Sequence, residues 1–333
     1  MTIKPKRAID VAVVGVGSMG KNHARVLAGL KNANLVAVVD IDFAAARAVA
    51  ELYGCAAYGD VGDLPGKIQA ATVATPAISH ASVGTFLLNN GIHCMVEKPL
   101  APSEAECLQL IEAARNRGLV LMVGHIERFN PAVARLVEIL PKEGRVFSVD
   151  ARRLSWVPAR ANDVDVIIDL MVHDLDIIHS VIDCDVRSCH AAGIDTRGNG
   201  IDHVTSVLTF SNGATALLTA SKVTHTKIRD MQVITDRGMF QLDFIRQELV
   251  VYRQGLQVVH GDEAITPYYS IEATMERIVV RNAEPLAQEL EHFISVVEKG
   301  GQPRIAGEDA LRCLKTAWRL QNEIGRSSSF GGN

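Results

Sequence analysis

Two places in this chain carry residue types that could move protons. The first is Lys98, in Glu97-Lys98-Pro99, directly after the apolar run 93–96. In a doubly wound sheet, ligands bind just beyond the carboxyl ends of the strands. An ammonium group there can reach a bound ligand and stabilise a developing alkoxide by its charge. The second place is Asp169-Leu170-Met171-Val172-His173, in a segment that reads as a helix over 164–182. Residues four apart stack on one helical face, so Asp169 can orient His173 as a general base. Plainer readings compete: a surface ion pair for Glu97 and Lys98, and a satisfied core histidine for His173. A metal site built from Asp169, His173, Asp174 and Asp176 is disfavoured. Asp174 falls off the shared face, and no cysteine or second histidine lies nearby. No metal is expected.

A ligand for Lys98 is supplied by Gly15-Val16-Gly17-Ser18-Met19-Gly20, a Gly-x-Gly-x-x-Gly loop between an apolar strand and a helix. The first glycine allows the tight turn, the second admits a pyrophosphate to the backbone, and the third lets helix and strand pack closely. The helix N-terminus then faces the phosphates. The next strand ends at Asp40, about twenty residues on, where a carboxylate accepts hydrogen bonds from the adenine ribose hydroxyls. It also repels a 2′-phosphate, and no arginine follows in Ile41-Asp42-Phe43. The expected cofactor is therefore NAD rather than NADP. Thr75-Pro76, another strand-exit dipeptide, points to the same crevice.

The elements that must position these groups alternate up to Gly124. Strands read over 10–14, 35–39, 70–74, 93–96 and 119–123, and helices over 19–30, 43–53, 79–90 and 103–117. Ser103 and Glu106 are set as a capping box, with Gly118 closing that helix. This rhythm predicts a parallel Rossmann sheet wrapped by helices. After Gly124 the strands follow one another: 145–154, 204–210, 214–221, 231–235, 239–244, 249–252 and 256–259, with Asn212-Gly213 as a hairpin signal. The helices there read over 164–182, 284–299 and 307–324. The fold class is α/β: an N-terminal doubly wound parallel sheet, then an α+β domain with an open, mainly antiparallel sheet. The expected domains are 1–125 for the cofactor and 126–333 for substrate and oligomer contacts, the boundary lying near His125 to Pro131.

The chain has 333 residues, 48% hydrophobic and 22% charged, with a net charge of −4. That balance offers no general attraction to nucleic acid or to an anionic membrane. No apolar stretch approaches the ~20 residues a membrane helix needs, and Gly15 and Gly17 interrupt the first apolar run too early for a signal peptide. The six cysteines form no Cys-x-x-Cys pair, which suits buried thiols in a reducing compartment. A cytoplasmic protein is expected.

Gly15 to Gly20, Thr75-Pro76, Glu97-Lys98-Pro99 and the Asp169-x-x-x-His173 helix together resemble the Gfo/Idh/MocA family, named for glucose–fructose oxidoreductase and inositol dehydrogenase. The resemblance spans nearly the whole chain. It implies oxidation or reduction of a ring carbon of a sugar or cyclitol with NAD(P). Residues 124–131, Arg152-Arg153, the run 160–170 and Glu284-Pro285-Leu286 are similar to the branch that oxidises the 3-hydroxyl of UDP-N-acetylglucosamine, feeding 3-amino sugar synthesis for lipid A or surface polysaccharide. Leu154-Ser155-Trp156 departs from that branch, where a small residue such as glycine is expected after the paired arginines. The implied catalytic residues are Lys98, His173 and Asp169. The implied cofactor contacts are Gly15, Val16, Gly17, Ser18, Met19, Gly20, Asp40, Ile41, Thr75, Pro76, His80, Glu97 and Lys98. For a UDP-sugar substrate, Arg128, Arg153 and Arg160 are the candidate cations for the diphosphate, Asn130 for the uracil or acetamido group, and His173 for the reacting hydroxyl.

Other readings within this frame are a UDP-N-acetylglucosaminuronate or inositol dehydrogenase, and an NAD-dependent glycoside hydrolase of the same fold. A non-catalytic NAD-sensing protein has no need for Lys98 and His173 together. A homo-oligomer, dimer or tetramer, is expected, and an aminotransferase is linked only as the next step in metabolism.

Overall fold

The first strand, β1 (Ile9–Val14), is buried almost throughout and leads directly into the glycine loop. Around it a computed structural model, which describes residues 8–157, 165–198, 200–259 and 268–329, builds a six-stranded, all-parallel sheet. Its other strands are β2 (Ala33–Val39), β3 (Ala56–Tyr58), β4 (Ala70–Val73), β5 (His93–Glu97) and β6 (Leu121–Gly124). The helices between them are α1 (Ser18–Gly29), α2 (Phe43–Tyr53), α3 (His80–Asn89) and α4 (Glu104–Arg117). Strand order is β3-β2-β1-β4-β5-β6. The order therefore reverses between β1 and β4, and a ligand crevice opens at that switch point beyond the carboxyl ends of the strands. Local chemistry sets the helix ends. Asp42 accepts the N–H groups of Ala44 and Ala45 to start α2, and Ser103 with Glu106 forms the expected capping box on α4. Gly54 and Gly118, both left-handed, close α2 and α4.

The second sheet has eight strands in the order β14-β13-β12-β11-β7-β10-β9-β8. They are β7 (Val146–Trp156), β8 (Val186–Ile194), β9 (His203–Phe210), β10 (Thr215–Ser221), β11 (Val223–Thr235), β12 (Gly238–Asp243), β13 (Glu248–Val259) and β14 (Tyr268–Ile278). All neighbours are antiparallel except β7 and β10. Helices α5 (Pro131–Ile139) and α6 (Val172–Val181) belong with this sheet, and α7 (Pro285–Lys299) and α8 (Gly307–Ser329) follow it in the chain.

Four features depart from the sequence reading, one being that the two strands read over 249–252 and 256–259 are the single strand β13. Strands β3, β8 and β14 and helix α5 escaped it. The short β3 and the half-exposed β8 have weak apolar patterns, and α5 begins at Pro131, where the segment read as a boundary ends. The division at residue 125 also changes. The chain forms two compact units, 1–129 with 283–315, and 130–282 with 316–333. The return of 283–315 to the first unit has a packing cause. Helix α7 buries Leu286, Leu290, Phe293 and Ile294, the Ile305 carbonyl accepts the Val123 N–H, and Ala306 bridges to Met122 on β6. The expected continuous helix 164–182 is different as well: Ile167–Met171 winds as a π-turn before α6 begins.

Candidate active site

In the first unit a cavity of about 810 Å³ lies at the carboxyl end of the sheet. Gly15, Gly17 and Met19 from the glycine loop border it, as do Asp40 and Ile41 after β2. Thr75 and Pro76 after β4, with Glu97 and Lys98 at the end of β5, complete the wall. Nine of the expected cofactor residues therefore share one space. The rest of the loop supports it from behind: the Val16 N–H donates to Asp40 Oδ2 at 2.8 Å, and Ser18 begins α1.

The space suits a dinucleotide. Gly15 has φ +87°, and a Cβ there would lie 2.7 Å from the Ala74 carbonyl oxygen. A Cβ on Gly20 would overlap the Gly15 carbonyl oxygen at 1.8 Å. These two glycines are required by the protein itself. Gly17 is different, since a Cβ there would meet no protein atom within 4 Å. Its bare backbone serves whatever occupies the cavity. Helix α1 starts at that point with no side-chain cap and no acidic residue in its first turn, so its N–H groups and positive end remain suited to a pyrophosphate. Asp40 accepts from Val16 N–H through Oδ2 and from Asp42 N–H, at 2.9 Å, through Oδ1. The carboxylate is thereby fixed at the tip of β2, where a ribose would lie. Ile41 and Ile78 stand 98% and 80% exposed at the rim of this cavity, apolar faces suited to a flat base.

His80 takes another role than the one expected. It is buried, with Nε2 2.9 Å from the Thr75 carbonyl oxygen and Nδ1 2.9 Å from the Pro99 carbonyl oxygen. The ring ties together the exits of β4 and β5 instead of lining the cavity. The Lys98-Pro99 peptide is cis.

Within the second unit the expected polar residues are mostly committed to partners inside the fold. Arg153 is buried and paired with Asp174: Nε lies 3.1 and 3.0 Å from the two carboxylate oxygens, and Nη2 lies 2.7 Å from Oδ1. Its guanidinium also stacks over Phe244, 4.9 Å from the ring centroid. A buried charge needs such a partner, and this arginine is spent on the fold rather than on a diphosphate. Asn130 is buried too. Its oxygen caps α5 by accepting the Ala132 N–H, and its amide donates to the Phe244 carbonyl. Arg160 lies outside the described residues.

Asp169 sits on the π-turn, where residues four apart no longer stack as they do in an α-helix. Its carboxylate forms an ion pair with Lys222 Nζ at 3.0 Å. Lys222 is completely buried in the link between β10 and β11, and the sequence reading missed it. The available signal was a single lysine between apolar strands, Ala220-Ser221-Lys222-Val223, since a buried lysine calls for a carboxylate partner. His173 lies half-buried at the second position of α6. Asp165, just before the π-turn, is held above the usual carboxylate range by burial. N–H groups of Ile167 and Ile168, Gln321 and the charge of Lys222 partly oppose that rise.

Arg128, also in the first unit, stays half-exposed. Its carbonyl accepts from Arg304 at 3.1 Å, and its charge adds to burial in lowering the Arg304 pKa.

A parallel doubly wound sheet with this loop, this fixed carboxylate and a lysine on the cavity wall defines a dinucleotide-binding oxidoreductase. The model of an oxidoreductase family with an NAD-binding Rossmann fold matches residues 9–125, and the C-terminal domain model of the same family matches 142–241. The chain belongs to the Gfo/Idh/MocA oxidoreductase family, and its cofactor is NAD. It is 30% identical to a UDP-N-acetylglucosamine 3-dehydrogenase of Acidithiobacillus ferrooxidans across 86% of this chain and 87% of that protein. A solved structure of the enzyme of that name from the same organism superposes with a TM-score of 0.86 at 28% identity, covering 95% of this chain and 98% of that one. An inositol 2-dehydrogenase of Rhizobium meliloti is 27% identical across 93% of this chain and 94% of its own. Among the described residues, no helix is long and apolar enough to cross a membrane, and all six cysteines are free thiols.

Proposed function

We propose that this enzyme oxidises the 3-hydroxyl of UDP-N-acetylglucosamine to the 3-keto sugar nucleotide. The supporting observation is the likeness to the Acidithiobacillus ferrooxidans dehydrogenase, which extends over both family domains at 30% identity, with a TM-score of 0.86 for the solved fold. NAD, when bound, supplies the two-electron acceptor. Asp40 holds the ribose hydroxyls and the α1 N-terminus the phosphates. Lys98, on the cavity wall of the first unit, donates a hydrogen bond to the reacting oxygen and offsets its developing negative charge. His173 is the general base of the sequence reading, taking the proton. With Arg153 engaged by Asp174, Arg128 and Arg160 are the substrate cations kept from the sequence reading.

The competing substrate is an inositol, on the strength of the likeness to the Rhizobium meliloti enzyme. Formation of NADH with UDP-N-acetylglucosamine, and none with myo-inositol, is the expected result. The reverse pattern overturns the assignment. Release of UDP without net NADH would instead mark an eliminating hydrolase. The reaction is placed in the cytoplasm, which suits six free thiols, and is carried out by a homo-oligomer, to be measured by light scattering. Its keto product is a substrate for a transaminating enzyme.

A further inference from the structure

Three helical residues beyond the glycine loop, α1 buries a histidine. His23 is fully enclosed, and its Nε2 lies 3.0 Å from Glu97 Oε1. The second oxygen of the same carboxylate accepts the backbone N–H of Lys98 at 3.2 Å. A third side is closed by β6. A Cβ added to Gly124 would stand 3.0 Å from the Glu97 carboxyl carbon and 3.0 and 3.1 Å from its oxygens. The Glu97 side chain is therefore held by the helix that follows the glycine loop, by the amide of Lys98, and by the bare backbone of the neighbouring strand.

The tautomer follows from the partners. A carboxylate only accepts, so the ring hydrogen facing it sits on Nε2. His23 Nδ1 is buried with no hydrogen-bond partner. In the neutral ring that atom is a bare acceptor, which is less costly to leave unmet than an orphaned N–H. Nothing in the packing of a plain core position requires a ring with one nitrogen unmet and the other on a carboxylate at the cavity wall.

We propose that His23 is a positioning residue for Lys98, acting through Glu97. The imidazole fixes the carboxylate, the carboxylate fixes the Lys98 amide, and the ammonium is thereby aimed from a rigid strand end. The inference rests on the reading of Lys98 as the group that stabilises the alkoxide. Misplacing a reacting group by about 1 Å can cost ~100-fold in rate, so a relay of this kind has kinetic weight without touching substrate.

The test is a double-mutant cycle on full-length enzyme. His23→Leu fills the volume without a donor, and His23→Gln offers an amide N–H near the position of Nε2. His23→Leu is expected to lower kcat by about 10–100-fold, with KM and NAD affinity nearly unchanged, and His23→Gln to recover most of the loss. Gly124→Ala should reproduce the kcat loss by displacing Glu97. In a Lys98→Ala background, His23→Leu should cost nothing further, because both act on one group. An equal loss in that background overturns the relay while leaving the role of Lys98 intact. Full activity of Lys98→Ala alone overturns the role of Lys98, and the relay with it. Should the variants fail to fold, the wild-type protein still decides: ¹⁵N histidine spectra must show His23 protonated at Nε2, and protonation at Nδ1 alone refutes the proposal.

Discussion

In the first unit, the polar residues singled out by spacing line one cavity: Asp40, Thr75, Glu97 and Lys98 all border it. In the second unit, the residues singled out for substrate and catalysis are largely consumed inside the fold. Arg153 binds Asp174, Asn130 caps a helix and holds a carbonyl, and Asp169 pairs with Lys222. The difference is one of backbone geometry. A Rossmann crevice places strand ends side by side by topology alone, so motif order implies spatial neighbourhood. An open antiparallel sheet brings together residues far apart in sequence, such as Arg153 and Asp174 or Lys222 and Asp169, and no local pattern announces such pairs.

Five substitutions test this contrast. The largest effects belong to the proposed chemistry. Lys98→Ala should lower kcat by about 10²–10³-fold and His173→Ala by about 10²–10⁴-fold, each leaving NAD affinity nearly intact by fluorescence titration. Retention of turnover in His173→Ala would remove the second unit's one remaining catalytic candidate.

Next comes Arg153→Ala, which strands Asp174 as a buried, unpaired carboxylate. A loss of about 3–5 kcal/mol in urea unfolding is expected. A stable variant that had lost only substrate affinity would return Arg153 to the substrate and erase the contrast. Asp40→Ser, in the first unit, removes charge-assisted hydrogen bonds to the ribose worth ~1.5–3 kcal/mol. The preference for NAD over NADP should fall by at least about tenfold, read from kcat/KM with each cofactor.

The smallest effect is electrostatic. Burial raises the Asp165 pKa in the folded protein, so the folded state binds its proton more readily than the unfolded chain, whose carboxyl titrates near ~3.9. Stability from this group is fully present below that value and is lost as pH rises through the higher folded pKa. Asp165→Asn should flatten that part of the stability profile in thermal melts at stepped pH. An unchanged slope would show that the carboxylate is stabilised where it stands.

Much of the fold was readable before the structure. The glycine loop, the capping box at Ser103 and Glu106, and the alternation of apolar strands with helices depend on neighbours in sequence, and each appears where expected. Strand β8 was missed because its half-exposed residues carry no strong alternation, and α5 because the reading of a boundary up to Pro131 stopped where this Pro-initiated helix, capped by Asn130, begins. The route of 283–315 back to the first unit depends on Ile305 and Ala306 meeting β6, a pairing across most of the chain.

By itself, then, the sequence determined that a dinucleotide is bound, that NAD is the cofactor to expect, and that Lys98 stands at a strand exit, because the period of strand and helix and the chemistry of a glycine turn are local. Tertiary structure alone decided which charges remain for a ligand. Whether an arginine faces solvent, substrate or a buried carboxylate depends on the desolvation cost at its final position, which is set only when distant strands meet. His23 shows both sides: a helical residue just past the loop in sequence, it acquires a function only where β5 carries Glu97 to within 3.0 Å.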